Sequence, residues 1–147
     1  MISTMAGDRI VICNSTDELR RMTRWLWDGA AASGIPDDIA SKLDLCANEA
    51  VMNIISYAYP DAGRREITLE LNETPDGVSL VIRDDGKPFN PLDVPEPKLP
   101  KSLDEALIGG LGVHFIRRMM TRSHYRRADG FNVLSFEVRR DRPAGNA

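Results

Sequence analysis

The sequence predicts an α/β fold of the α+β kind, a two-layer sandwich in which a mixed, mostly antiparallel sheet carries its helices on one face. Three observations predict it. Two long segments in the first half place apolar residues at helical spacing. Five short segments are strand-like, and the clearest of them alternate apolar and polar residues. Turn signals at Asp76-Gly77 and Asp129-Gly130 fold four of these into hairpins. The order is strand, helix, helix, hairpin, loop, helix, hairpin, with no internal repeat and no domain boundary along the 147 residues.

The elements follow in chain order. Asp8 to Cys13 forms the first strand. Ser15, Thr16 and Asp17 supply caps for helix one, Thr16 to Ala32, with acidic residues in its first turn. Leu19, Met22, Leu26 and Trp25 make its inner stripe. Ser33-Gly34 ends it, and Pro36 opens helix two, which runs to Tyr57 before Pro60 and Gly63 break it. Ile67 to Leu71 and Val78 to Arg83 pair as a hairpin. Asp84 to Ala106 holds five prolines and reads as an irregular loop, the core of a lid over about 87–108. From Ile108 the chain turns glycine-rich, then helical through Val113, Phe115, Ile116, Met119 and Met120. Ser123 to Arg127 and Phe131 to Val138 form the closing hairpin, and residues 140–147 form a polar, frayed tail.

Composition narrows the function classes. The chain is 42% apolar and 28% charged, with a net charge of −3, so no global field draws it to nucleic acid or to an acidic membrane. Its apolar runs are too short to cross a bilayer. The start, MISTMAGDRIVIC, lacks a basic segment followed by an apolar core, so no secretory signal is expected and the protein reads as cytoplasmic. Cys13 and Cys46 belong to no CxxC or Cys/His cluster and read as reduced packing residues.

Three stretches carry chemistry. Asp44 to Pro60, DLCANEAVMNIISYAYP, is the heart of helix two. Glu49 and Asn53 lie one turn apart at the rim of its apolar face. A carboxylate and an amide at such a rim can take a proton and hold a metal or ligand, although an isolated pair of this kind is most often a solvated helix edge. DDGKPF, from Asp84 to Phe89, follows a strand. An Asp there can accept a hydrogen bond from an amino group such as that of adenine, and Gly86 lets a flat ring come close. Alone, the stretch is a plain turn. Gly109-Gly110-Leu111-Gly112-Val113 precedes a helix, where backbone N–H groups and positive potential suit phosphate. It is neither a Rossmann fingerprint nor a P-loop.

In this order the three stretches resemble the N box (EAVMNIISYAYP), the first glycine box (DDGKPF) and the second glycine box (GGLGVHFI) of the GHKL ATPase superfamily, the Bergerat fold. Within it the chain is similar to the anti-sigma-factor serine-protein kinases, from about Arg9 to Val138. The resemblance implies a serine/threonine-protein kinase that binds ATP and Mg²⁺, phosphorylates a STAS-domain antagonist on serine, and sequesters a sigma factor or other regulator. It gives Glu49 the role of general base and Asn53 that of Mg²⁺ ligand. Asp85 would bond the adenine amine, Gly86 would admit the ring, and Phe89 would anchor the lid. Gly110, Leu111 and Gly112 would approach the phosphates. Where the family commonly has Gly-Thr, Gly130 is followed by Phe131 and Asn132, and Asn132 would take over a water-mediated adenine contact. Family members are often homodimers.

Other readings stand beside this one: a nucleotide-binding scaffold without kinase activity, or a domain that phosphorylates histidine on a separate protein. Arg117, Arg118, Arg122, Arg126 and Arg127, with His124 and Tyr125, form a basic patch that net charge assigns to solvent rather than to nucleic acid. His114 reads as a surface or core-edge residue. Arg20, Arg21 and Arg24 lie on the exposed side of helix one, where a partner could dock. Trp25 and Trp27 cannot share a helix face, so one of them is expected at the surface as an interface anchor.

Overall fold

The computed structural model describes residues 8–60, 63–93 and 120–140. Five strands form one sheet: β1 (Asp8–Cys13), β2 (Glu66–Glu73), β3 (Gly77–Asp84), β4 (Arg122–Ala128) and β5 (Phe131–Arg139). Their spatial order is β1-β2-β3-β5-β4, and all four pairings are antiparallel, so the expected parallel component is absent among the described strands. Two helices, α1 (Leu19–Ala32) and α2 (Asp37–Tyr57), cover one face.

The period-2 alternation of the strands decides which face is covered. Ile10 and Ile12, Ile67, Leu69 and Leu71, Val78, Leu80 and Ile82, and Leu134, Phe136 and Val138 all turn inward. They meet Met22, Leu26 and Ala30 of α1 and Ile39, Leu43, Ala47, Ala50 and Ile54 of α2 in one core. Asp84 and Asn132 continue the inward rows of β3 and β5 and are paired across the strands.

Local chemistry sets the helix ends. The Ser15 hydroxyl accepts the Asp17 N–H, which tightens the first turn into a 3-10 helix over Thr16–Glu18. The α-helix therefore begins at Leu19, three residues later than capping rules suggest. At the other end Gly34 adopts φ +70°, and Ile35 N–H and Gly34 N–H bond the carbonyls of Ala30 and Ala31. Buried Ile35 closes this motif. In the β4–β5 turn, Asp129 and Gly130 both take positive φ, as a two-residue hairpin between twisted strands requires.

Both indoles of α1 have partners, contrary to the expectation of an exposed anchor. Trp25 Nε1 donates to Asp8 Oδ1 at 3.2 Å, and Trp27 Nε1 donates to Asp44 Oδ2 at 3.1 Å. Asp44 also accepts from Thr23 and Asn48, which makes a polar seam between α1 and α2. Arg21 is engaged too, with Glu18 and with the Val11 carbonyl, whereas Arg20 and Arg24 are exposed. Cys13 and Cys46 are free thiols. Burial, and secondarily Glu49, push the Cys46 thiol up to about 12.

The second glycine box (Gly110, Leu111, Gly112) lies outside the described residues. So do His114, Arg117, Arg118, the lid from residue 94 onward and the tail from 141.

Candidate nucleotide site

The site starts from α2. Glu49 and Asn53 occupy one stripe of this helix, and Tyr57 continues it another turn along. Asn53 is only 8% exposed, and its Nδ2 has no hydrogen-bond partner among the described residues. An amide buried in that state costs stability unless something outside the chain bonds it. Glu49 is half-buried. Burial raises its pKa above the ordinary glutamate value, and the neighbouring Asn53 amide opposes the rise without a hydrogen bond of full geometry.

At the C-terminal end of α2 the helix meets the DDGKPF stretch. Lys87 N–H donates to the Ala58 carbonyl at 2.9 Å. The Tyr57 and Phe89 rings lie 5.7 Å apart in a tilted contact. Half-buried Phe89 packs on the core, and its N–H donates to Asn132 Oδ1. Gly86 lies so close to Ala58 that an added Cβ would stand 2.5 Å from its carbonyl oxygen. The close approach of Ala58 is by itself enough to require glycine here, a reason beside the room for a ring that the sequence suggests.

Asp84 and Asp85 face opposite sides of the sheet. Asp84 ends the row Val78, Leu80, Ile82 on the helix-covered face and is 1% exposed. Its Oδ1 accepts Gly86 N–H and Asn132 Nδ2–H, both at 2.9 Å. No other hydrogen bond reaches the carboxylate among the described residues, so Oδ2 has no donor among them. Burial raises the Asp84 pKa, while Asn132, Gly86 N–H and Arg127 act against it. Asp85 is exposed, bonded by Tyr59 Oη–H at 3.3 Å and 3.8 Å from Arg65 Nη1. It lines a groove of about 580 Å³ on the uncovered face with Arg9, Thr68, Arg83 and Arg126. Sequence reading assigned the adenine contact to Asp85, whereas the acceptor facing the helix layer is Asp84. Strand alternation carries the signal that could have found it.

Asn132 also differs from expectation. It is buried, and both of its N–H groups are used, one by Asp84 and the other by the Lys87 carbonyl at 2.8 Å. Its Oδ1 accepts from Phe89 N–H, Tyr125 Oη–H and Arg127 Nη1–H. Nothing remains for a water-mediated ligand contact, so its part is internal. Arg127 adds a 2.7 Å bond to the Gly86 carbonyl. Sequence reading placed Arg127 in a solvated patch; it is exposed, and its position opposite Asn132 in the β4–β5 register lets its guanidinium also reach Asn132 and the Gly86 carbonyl.

Among the described residues no group of three or more His, Cys, Asp or Glu side chains could hold a metal. No described helix is long and apolar enough to cross a membrane.

A half-buried carboxyl and an amide whose Nδ2 lacks a described partner thus share one helix stripe, and the end of that helix packs on the loop that follows a buried carboxylate. The chain belongs to the histidine kinase-like ATPase domain family, whose model matches residues 13–138, and the resemblance read from the three boxes is borne out. It is similar to the serine/threonine-protein kinase BtrW of Bordetella bronchiseptica, with 41% identity over 93 residues. That match spans 63% of this chain and 66% of the relative's length, just short of two thirds.

Proposed function

We propose that this chain is an ATP-dependent protein kinase that phosphorylates a serine on a small partner protein of the STAS-domain antagonist type. In the same partner-switching scheme it sequesters a sigma factor or another regulator. The observation that carries this reading is the Glu49–Asn53 pair: a half-buried carboxyl with a raised pKa, one turn from a buried amide whose Nδ2 lacks a partner among the described residues. Family membership and the likeness to a protein named as a serine/threonine kinase support it.

Each residue then has a role. Glu49 takes the proton of the serine hydroxyl as the Oγ–P bond forms and the bond from the γ-phosphorus to ADP breaks. A carboxyl with a raised pKa is a better proton acceptor than an exposed one. Asp84 accepts a hydrogen from the 6-amino group of adenine, and Phe89 on Tyr57 fixes the base-side end of the stripe. From Glu49 to Tyr57 the helix rises about 12 Å, which separates the proton-taking end from the base-reading end. Asn53 would hold Mg²⁺ through Oδ1, a hard oxygen ligand, since this ion keeps waters and phosphate oxygens for its other positions; the unpartnered Nδ2 is a donor and suits an acceptor instead. Bound there, Mg²⁺ supplies neutralising charge to the phosphates.

A protein substrate fits the surroundings of Glu49. Leu45 and Met52, 44% and 40% exposed, sit four residues before it and three after it on the same stripe. That is apolar surface which a docked partner would cover. Arg20 and Arg24 on α1 are exposed and offer charge to such a partner.

The test is transfer from labelled ATP to a co-encoded antagonist. Wild type should yield an acid-stable phosphoprotein, and Glu49→Gln should yield almost none. An acid-labile product would indicate phosphohistidine and overturn the serine assignment. ATP binding without transfer to any antagonist would leave a nucleotide-dependent scaffold.

A further inference from the structure

Asn132 is the most heavily bonded side chain among the described residues, and it touches three parts of the same loop. Its amide cannot turn over. A flip would set an NH₂ group against three donors, Phe89 N–H, Tyr125 Oη–H and Arg127 Nη1–H, and an oxygen against the Asp84 carboxylate and the Lys87 carbonyl. The orientation of the amide is therefore fixed by its neighbours. With it is fixed the oxygen of Asp84 that receives a donor.

Arg127 locks the other side. One Nη1 serves both the Gly86 carbonyl at 2.7 Å and Asn132 Oδ1 at 3.2 Å. Gly86 N–H is the second donor to Asp84 Oδ1. Asp84 Oδ1, Gly86, Arg127 and Asn132 thus close a ring of hydrogen bonds. Two donors on Oδ1 leave no room for a proton there, and they set the direction in which Oδ2 points.

We propose that Asn132 and Arg127 are specificity-determining positioning residues: they hold the Asp84 carboxylate as a fixed acceptor and so make the site select a 6-aminopurine nucleotide over a 6-oxopurine one. The inference rests on the reading of the site as one for ATP. A 6-amino group gives Oδ2 a hydrogen, whereas a 6-oxo group turns a second acceptor toward it. A site built around a fixed acceptor rejects such an analogue strongly. If the carboxylate were free to rotate or to take up a proton, that rejection would weaken.

The test is calorimetric titration of the full chain with ATP and with ITP, which differs only in carrying the 6-oxo form of the base. Wild type should prefer ATP by about tenfold or more, the scale of one charge-assisted hydrogen bond. Asn132→Leu keeps the volume and removes the donors, and the ATP-to-ITP ratio should fall toward one. Arg127→Met keeps the stem of an exposed side chain on β4, leaves the Asn132–Asp84 bond, and should lower the ratio by a smaller factor. If either variant weakens both nucleotides equally and keeps the ratio, the two residues only support the fold and the inference fails. Equal binding of ATP and ITP by wild type overturns it as well. If wild type binds neither nucleotide, the ATP reading falls, and this inference with it. Should Asn132→Leu not fold, Arg127→Met decides alone.

Discussion

Gly86→Ala separates two explanations of one glycine. A Cβ at residue 86 would stand 2.5 Å from the Ala58 carbonyl oxygen, 2.8 Å from its Cβ and 3.0 Å from its carbonyl carbon. Carbon contacts are comfortable at about 3.5–4.0 Å, so the loop must retreat by roughly 1 Å. Its neighbour Lys87 donates to that same carbonyl at 2.9 Å, and the retreat stretches this bond. Overpacking costs about 1–3 kcal/mol and one backbone hydrogen bond about 1 kcal/mol more. The sum, about 2–4 kcal/mol, lowers Tm by on the order of 10 °C in a chain of this size. The assay is thermal unfolding of the ligand-free protein by circular dichroism, with ATP titration beside it. An unchanged Tm together with lost ATP affinity would refute the reasoning, because it would mean that the glycine serves the ring of a ligand and not the end of α2.

The other predictions follow from the same site. Asp84→Asn should weaken ATP binding by about tenfold or more, since a charged acceptor is lost, while Asp85→Asn should stay within about twofold; calorimetry on both variants checks it. Glu49→Gln should lower transfer by roughly 10²- to 10⁴-fold. Because folding raises the Glu49 pKa, its favourable contribution is present when it is protonated and is lost as pH rises through the folded-state pKa. Glu49→Gln should therefore gain stability over wild type at about pH 7 and lose that advantage near pH 3, below the ordinary glutamate pKa, as urea unfolding at both values would reveal. The transfer rate of wild type should fall on the acid side with an inflection above that ordinary value. Asn53→Ala should abolish the Mg²⁺ dependence of ATP binding without destabilising the ligand-free protein, since it removes a buried Nδ2 that no described residue accepts from.

The layers of the fold were legible because apolar spacing is dictated by local geometry. Helix two was placed to within a residue of its ends, and the Asp129-Gly130 turn was read directly from its φ requirements. The start of α1 shifted because Ser15 bonds its own near neighbour and tightens the first turn, a choice that propensity does not resolve. In the site, Glu49 and Asn53 could be paired by spacing alone. Which aspartate of DDG turns inward depends on strand parity, and the row Val78-Leu80-Ile82-Asp84 held that answer. The parts of Arg127, Tyr125 and Asn132 were not legible, because they arise from a register between β3, β5 and β4 that brings residues about 40 positions apart into contact.

The two indoles of α1 look in different directions. Trp25 is tied to Asp8 at the start of the sheet, and Trp27 to Asp44 on the helix that bears Glu49. Fluorescence from the first therefore reports the seam between helix and sheet, and fluorescence from the second the seam between the two helices. With each replaced in turn by Phe, the chain becomes its own pair of optical gauges. A visitor seated on Arg20 and Arg24 would register on one, on the other or on both, without any label being attached.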